Sequence, residues 1–299
     1  MPEGPGRIPA ELEENGRDPE MTLEEKKKDL QQRMMEYTRE NSCLALSGGV
    51  DSAVLAWWTG KCAAQNHTKV YGVTFDTVLH PSADLEAAGQ SARDAGVIHK
   101  IITVNELEFA NIGQNPPDRC YLCKKGLFQQ LLKFGQERGI SCFMEGTNQD
   151  DLGVYRPGLQ AVKELGVKSP LAECGITKEE VRRLAREAGI RAAARPSSPC
   201  MATRLPYGAK LDLKLLRRIE AAEEAIKTLG FPVVRVRYHH PIARIEVEKS
   251  RLEEAVVRRE EILRILKALE FPYATLDLEG FRSGSMDLWE GQREYSEGE

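Results

Sequence analysis

The residues best suited to chemistry in this chain are a hydroxyl-and-glycine loop, Ser47-Gly48-Gly49-Val50-Asp51-Ser52, and three cysteines, Cys120, Cys123 and Cys200. Adjacent glycines allow tight backbone geometry and leave space for an anion to approach main-chain amides. Ser47 and Ser52 add hydroxyl donors, and Asp51 is placed either to bind Mg²⁺ or to cap a helix. The loop lacks the longer glycine stretch and the lysine of a Walker loop, and it is not a dinucleotide fingerprint. Such a loop can hold a triphosphate and, with Mg²⁺, stabilise the charge that develops on departing pyrophosphate. Cys120 and Cys123 form a Cys-x-x-Cys at a helix start, a position that lowers thiol pKa and sets both sulfurs on one side of the first turn. Alone, that pair serves redox chemistry, metal binding or neither. Zinc usually takes four ligands, and a second pair is missing. Adding Cys200, in Pro199-Cys200-Met201-Ala202-Thr203-Arg204, gives three thiolates, which fit an iron–sulfur cluster with one iron left open.

Further polar groups fall where a nucleotide site would need them. Asp76 and the run Gly146-Thr147-Asn148 each follow a predicted strand, at the sheet edge where nucleotides bind, and Asp151 adds a carboxylate near the expected Mg²⁺. Arg235 and Arg237 are two apart on a predicted strand and share a face, so both guanidinium forks can meet one phosphate. Arg204 lies four residues past Cys200, where it could meet a carboxylate or an adenylate. Glu220, Glu223 and Glu224 share a helix, as a metal site or a wet face.

These residues need elements to position them. Cys43–Leu46, Val70–Phe75, Lys100–Val104 and Ser141–Glu145 read as strands. They are separated by helices at about 51–65, 82–95 and 120–138, with further helices at 23–40 and 177–189. Strands alternating with helices of this length predict an α/β fold, a parallel sheet with helices on both faces. From residue 212 the pattern changes to helix, two alternating strands joined at His239-His240-Pro241, a helix over 250–269 and a strand near 273–278: a smaller C-terminal α+β domain. The expected layout is a disordered leader over 1–20, a nucleotide domain over 21–195, a cysteine-bearing connection over 196–210, the α+β domain over 211–288 and a frayed tail over 289–299. Strand Val233–Tyr238 is expected to be half exposed. Cys43, Cys62 and Cys142 fall on predicted strands or helices and read as small buried hydrophobes.

The 299 residues can bury a core without staples, and the net charge of -4 creates no global field for nucleic acid. Seven cysteines, an odd number, argue against a disulfide framework. No apolar run is long enough to cross a membrane, and the opening residues are polar without a signal-peptide core, so the expected location is the cytoplasm.

The Ser47–Ser52 loop, after the first strand, resembles the PP-loop of ATP pyrophosphatases, which split ATP to AMP and pyrophosphate. The resemblance narrows with Asn115–Phe128, Gly146–Asp151, Tyr155–Gly158, Ser169-Pro170-Leu171, Pro196–Arg204, Pro206-Tyr207-Gly208, Glu220–Glu224, Arg235-Val236-Arg237 and Ala243–Glu246. Together these are similar to the LarE family of ATP-dependent sulfur transferases, over about residues 40–290. The resemblance implies an adenine nucleotide alpha hydrolase-like fold, ATP and Mg²⁺ as cofactors, and adenylation of a carboxylate of pyridinium-3,5-biscarboxylic acid mononucleotide. Sulfur then replaces the activated oxygen, on the way to the nickel-pincer nucleotide cofactor of lactate racemase. Some members sacrifice the sulfur of a cysteine in the position of Cys200. Others have three cysteines like these and deliver sulfide on a [4Fe-4S] cluster, and this chain resembles that branch. The implied partners are the small phosphorylated substrate, a sulfide or sulfur donor and further copies of the chain, without nucleic acid or membrane. Implied roles are catalysis for Cys200, Arg204 and Asp51, nucleotide binding for Ser47–Ser52, Asp76, Gly146 and Thr147, substrate binding for Arg204, Glu223, Arg235 and Arg237, cluster ligation for Cys120, Cys123 and Cys200, and Mg²⁺ binding for Asp51 and Asp151. Two positions depart from the family pattern: Arg191–Arg195 lacks the usual Trp-Asp, and Thr203 stands where Ser is common. The rival readings are a tRNA-thiolating enzyme, which needs a broad basic surface, and a non-catalytic adenine-nucleotide sensor.

Overall fold

A computed structural model describes residues 21–80, 82–153, 156–194 and 199–282. The expected leader and tail, Tyr155, and Pro196 to Ser198 of the cysteine-bearing connection lie outside the described residues.

The first sheet has four parallel strands, β1 (Ser42–Ala45), β2 (Val70–Asp76), β3 (Ile98–Thr103) and β4 (Cys142–Met144), in the order β3-β2-β1-β4. Side chains alternate across β1, and both faces are covered. Leu44 packs with Leu30, Met34, Val54 and Leu184 beneath helices 23–37, 50–66 and 178–187. Cys43 packs with Phe128, Leu131 and Val162 beneath helices 119–136 and 157–164. The predicted α/β fold is therefore the observed one. Local signals start two of these helices: Thr22 with Glu25, and Thr177 with Glu180, form reciprocal capping boxes.

The second sheet runs β5 (Val234–His239), β6 (Ile242–Val247), β7 (Tyr273–Leu276). The first pair is antiparallel and the second parallel. Helices 213–228 and 259–268 cover it, with Ile219, Ile226, Val236, Val247, Ile262 and Leu266 in one core. The same core takes in Leu79, Ile112, Met201 and Leu205, so the connection after Cys200 packs as part of this region.

Two expectations need correction. β5 is not half exposed: Val234 through Arg237 are all buried, because the connection after Cys200 covers the face that carries the arginines. The helix over 250–269 is broken at Arg258, which donates to the carbonyl of Leu229 and pairs with Glu261. Short helices at 106–109, 149–152, 157–164 and 170–173 interrupt stretches without a periodic signal. Among the described residues no helix is long and apolar enough to cross a membrane.

Candidate functional site

The strand order places the site. After β1 the chain adds β2 and β3 on one side, then returns to lay β4 on the other. The crevice beyond β1 and β4 is thus a topological switch point, where open α/β sheets bind ligands. The Ser47–Ser52 loop leaves β1 there, and Gly146-Thr147 leaves β4 beside it.

Gly48 has φ 78°, a left-handed conformation that glycine adopts without strain. Gly49 is the N-cap of helix 50–66 and supplies no capping side chain, so the first-turn donors remain suited to an anion. The two hydroxyls brace the loop: Ser47 Oγ lies 3.2 Å from Ser52 Oγ, which donates to the carbonyl of Gly49 at 3.0 Å. Gly146 is required by close approach. A Cβ there would stand 3.0 Å from the amide nitrogen of Ser52 and 3.2 Å from the carbonyl carbon of Asp51. G146A is therefore expected to destabilise the fold by about 1–3 kcal/mol and to weaken binding of a non-hydrolysable ATP analogue about tenfold. Calorimetric titration checks this; unchanged affinity would rule out the close approach in the nucleotide-bound state.

Two of the carboxylates at this edge are ion-paired with basic side chains. Asp51 is ion-paired with Lys178 and accepts from Asn148 Nδ2 at 3.1 Å. Asp151 pairs with Arg156 at 2.9 Å. Mg²⁺ commonly sits on one or two carboxylates plus substrate phosphates. Asp51 and Asp151 suit that pattern once ATP brings its own phosphates. Asp76 accepts from Thr103 Oγ1 at 3.3 Å at the end of β2.

A cavity of about 420 Å³ opens on this edge. Its wall contains Ser47, Asp51, Ser52, Asp76, Gly146, Thr147 and Asp151, and also Cys120, Cys123 and Cys200. Helix 119–136 brings its first-turn thiols over the sheet. The Cys200 connection is tied down beside them: Met201 N donates to the carbonyl of Leu79 at 2.9 Å. Asn115 Nδ2 donates to the carbonyls of Leu205 at 3.1 Å and Pro206 at 2.8 Å. Against the lowering expected of a helix start, burial pushes the Cys123 thiol up, and the neighbouring Cys200 adds to the effect. Burial also pushes Cys200 up, against the opposing pull of Arg119. Among the described residues no group of three or more His, Cys, Asp or Glu side chains is drawn together as a metal site. By donor chemistry the three thiols suit an iron–sulfur cluster, since they are soft ligands lining one cavity with a guanidinium beside Cys120. The other four thiols, Cys43, Cys62, Cys142 and Cys174, do not line the cavity, and burial pushes all of them up, Cys43, Cys142 and Cys174 to about 12, 11 and 12.

Four sequence-predicted residues are placed elsewhere. Arg204, Glu223, Arg235 and Arg237 are buried behind the Cys200 connection, and none lines the cavity. Arg204 forms a two-point pair with Glu223, at 2.7 and 2.9 Å, and donates to the carbonyls of Pro199 and Cys200. Arg237 pairs with Glu246 at 2.5 Å and donates to the carbonyl of Thr203 at 2.6 Å. Arg235 donates to the carbonyl of Val234 and lies over the Phe281 ring; burial, with Arg204 adding to it, pushes it down to about 10. Arg204 and Arg237 thereby grip the backbone of the thiol-bearing connection.

Sequence reasoning missed the pair Lys124–Glu145. Both line the cavity, 3.0 Å apart, and Glu145 also accepts from Ser169 Oγ at 2.6 Å and Thr147 N at 2.9 Å. Burial raises the Glu145 pKa, but Lys124 and these donors outweigh it and hold the carboxyl below its usual range. Arg119 and Lys178 were missed too. A signal for Lys178 existed, since it follows the predicted cap Thr177. Arg119 directly precedes the Cys-x-x-Cys pair.

A family model described as a PP-loop domain matches residues 21–113. An uncharacterised protein of Synechocystis is 36% identical over 270 residues, covering 89% of this chain and 98% of its own. The pyridinium-3,5-bisthiocarboxylic acid mononucleotide synthase of Lactiplantibacillus plantarum is 34% identical over 244 residues, covering 82% and 88%. An uncharacterised protein of Methanocaldococcus jannaschii is 30% identical over 247 residues, covering 83% and 93%.

Proposed function

This chain belongs to the LarE family of PP-loop proteins, and from that premise we propose that it inserts sulfur into pyridinium-3,5-biscarboxylic acid mononucleotide at the expense of ATP. The PP-loop domain and the named relative support an ATP-using enzyme of the adenylating, sulfurtransferase type. The product would serve the nickel-pincer nucleotide cofactor of lactate racemase. The observation that supports sulfur insertion is the shared cavity: the phosphate loop and all three cysteines open onto one space of about 420 Å³.

In the adenylation step a substrate carboxylate oxygen attacks the α-phosphorus of ATP. The bond from that phosphorus to the bridging oxygen breaks, and pyrophosphate leaves. Ser47, Ser52 and the first-turn amides of helix 50–66 hold the departing phosphates; Asp51 and Asp151 would hold Mg²⁺, which when bound neutralises charge on those phosphates. In the second step a sulfur nucleophile attacks the acyl carbon. AMP leaves with the former carboxylate oxygen. Cys120, Cys123 and Cys200 would hold a [4Fe-4S] cluster, which when bound supplies an open iron position for sulfide. In the sacrificial alternative the Cys200 thiolate is that nucleophile: it displaces AMP to form a thioester, and loss of the Cα proton then breaks the Cβ–S bond, leaving the thiocarboxylate on the substrate and dehydroalanine at position 200. The cluster behind the connection, Arg204, Glu223, Arg235 and Arg237, acts by setting the position of Cys200.

The test is incubation of anaerobically purified protein with ATP, Mg²⁺, sulfide and the pyridinium mononucleotide. AMP and a thiocarboxylate product are expected. Iron and sulfide content, with the intact mass of the protein after turnover, separates the cluster route from loss of H₂S from Cys200. AMP formation with tRNA alone would overturn the reading.

A further inference from the structure

Three arginine or lysine side chains line the described cavity: Arg119, Lys124 and Arg156. Lys124 is paired with Glu145, and Arg156 with Asp151. Arg119 is different. It is only 3% exposed, yet among the described residues it has no carboxylate partner. Its contacts are Asn115 Oδ1, Cys120 Sγ at 3.7 Å and the face of Tyr207 at 5.6 Å. Arg204 and Arg237, buried to a similar degree, each hold a glutamate.

A guanidinium cannot escape burial by losing its proton. A buried charge is costly unless an anion meets it. A cavity-lining arginine in this condition is a place for a ligand's negative charge. The proposed substrate has two carboxylates, and only one can meet the α-phosphate of ATP at a time. The other needs a cation elsewhere in the same cavity, and the arginines expected from the sequence to serve the substrate are not on its wall.

We propose that Arg119 is an anion subsite that receives the carboxylate not undergoing adenylation. The proposal rests on the reading of function given above. The guanidinium fork matches a planar carboxylate in two-point geometry. In the second round the finished thiocarboxylate, also an anion, takes the same place. Asn115 and Tyr207 hold the guanidinium in position, and the Cys120 thiol beside it leaves the subsite next to the sulfur chemistry.

The experiment compares binding of pyridinium-3,5-biscarboxylic acid mononucleotide with nicotinic acid mononucleotide, which lacks the second carboxylate, to protein saturated with a non-hydrolysable ATP analogue. Wild type is expected to prefer the dicarboxylate by about 10–100-fold, the range of a charge-assisted hydrogen-bonded pair. R119Q is expected to bind the two within about threefold of each other. If R119Q does not bind the ATP analogue, R119K decides: a preference reduced about threefold or more supports the subsite, because lysine lacks the fork, and an unchanged preference overturns it. R119Q that keeps the wild-type preference overturns the subsite while the reading of function stands. If it does so while losing iron, Arg119 belongs to the thiols instead. Wild type that binds neither mononucleotide overturns the reading of function, and the subsite with it.

Discussion

C200A is expected to stop thiocarboxylate formation, by roughly 10³-fold or more, while AMP and pyrophosphate still form within about threefold of the wild-type rate. The Cys200 thiol is a reactant or a ligand in either sulfur route, so nothing replaces it. The adenylating half depends on other elements, the Ser47–Ser52 loop and the ends of β1, β2 and β4. The fold should tolerate the change, because the connection is held through its backbone. Thr203 Oγ1 donates to the carbonyl of Cys200 at 2.8 Å, Arg204 reaches the same carbonyl, and Met201 N reaches Leu79. Alanine leaves all three in place, and a stability change within about 1 kcal/mol is expected. Mass spectrometry of the product, with pyrophosphate release measured in parallel, checks both parts. A full yield of thiocarboxylate from C200A would remove Cys200 from the mechanism. C123A then separates the two routes: it is inactive in sulfur transfer if a cluster delivers the sulfide and active for one turnover if Cys200 is sacrificed.

The division between what the chain discloses and what it conceals follows range along the sequence. The phosphate loop is legible because its signals are local: an apolar strand, two glycines, then a helix whose N-cap has no side chain. The α/β fold is legible for the same reason, from periods of two and of 3.6 read in turn. The three cysteines are legible as chemistry but not as a constellation. Residues 120 and 200 line one cavity only because β4 returns beside β1 and the connection after Cys200 is tied to Leu79 and Asn115. Lys124 and Glu145 have no local mark, since a lysine in a helix and a glutamate after a strand are ordinary until the fold sets them 3.0 Å apart. Arg235 and Arg237 mislead for the opposite reason. Their alternation with Val234 and Val236 has the form of an exposed face, and only the distant carbonyl of Thr203 and the packing behind it reveal that face as interior.

The buried pair Arg204–Glu223 carries the second large expectation. Both side chains are almost wholly enclosed, at 3% and 5% exposed, and two hydrogen bonds join them. Glu223 also accepts from the amide of Val236 at 2.9 Å, so one carboxylate ties the helix 213–228 to both β5 and the connection after Cys200. E223A leaves the Arg204 charge buried without its partner and is expected to destabilise the protein by about 3–5 kcal/mol, measured by denaturant unfolding. Replacing both residues by methionine should restore part of that loss, because no uncompensated charge remains; a double variant as unstable as the sum of the two single ones would show that the pair does not act as a unit. The functional consequence separates positioning from substrate contact. Freed from Glu223, Arg204 no longer has a fixed direction in which to hold the carbonyls of Pro199 and Cys200, and the thiol loses its place in the cavity. Sulfur transfer in folded E223A should therefore fall by about 10²-fold, with the KM for the pyridinium mononucleotide in the AMP-forming step unchanged. A rise in that KM with sulfur transfer intact would return Glu223 and Arg204 to the substrate.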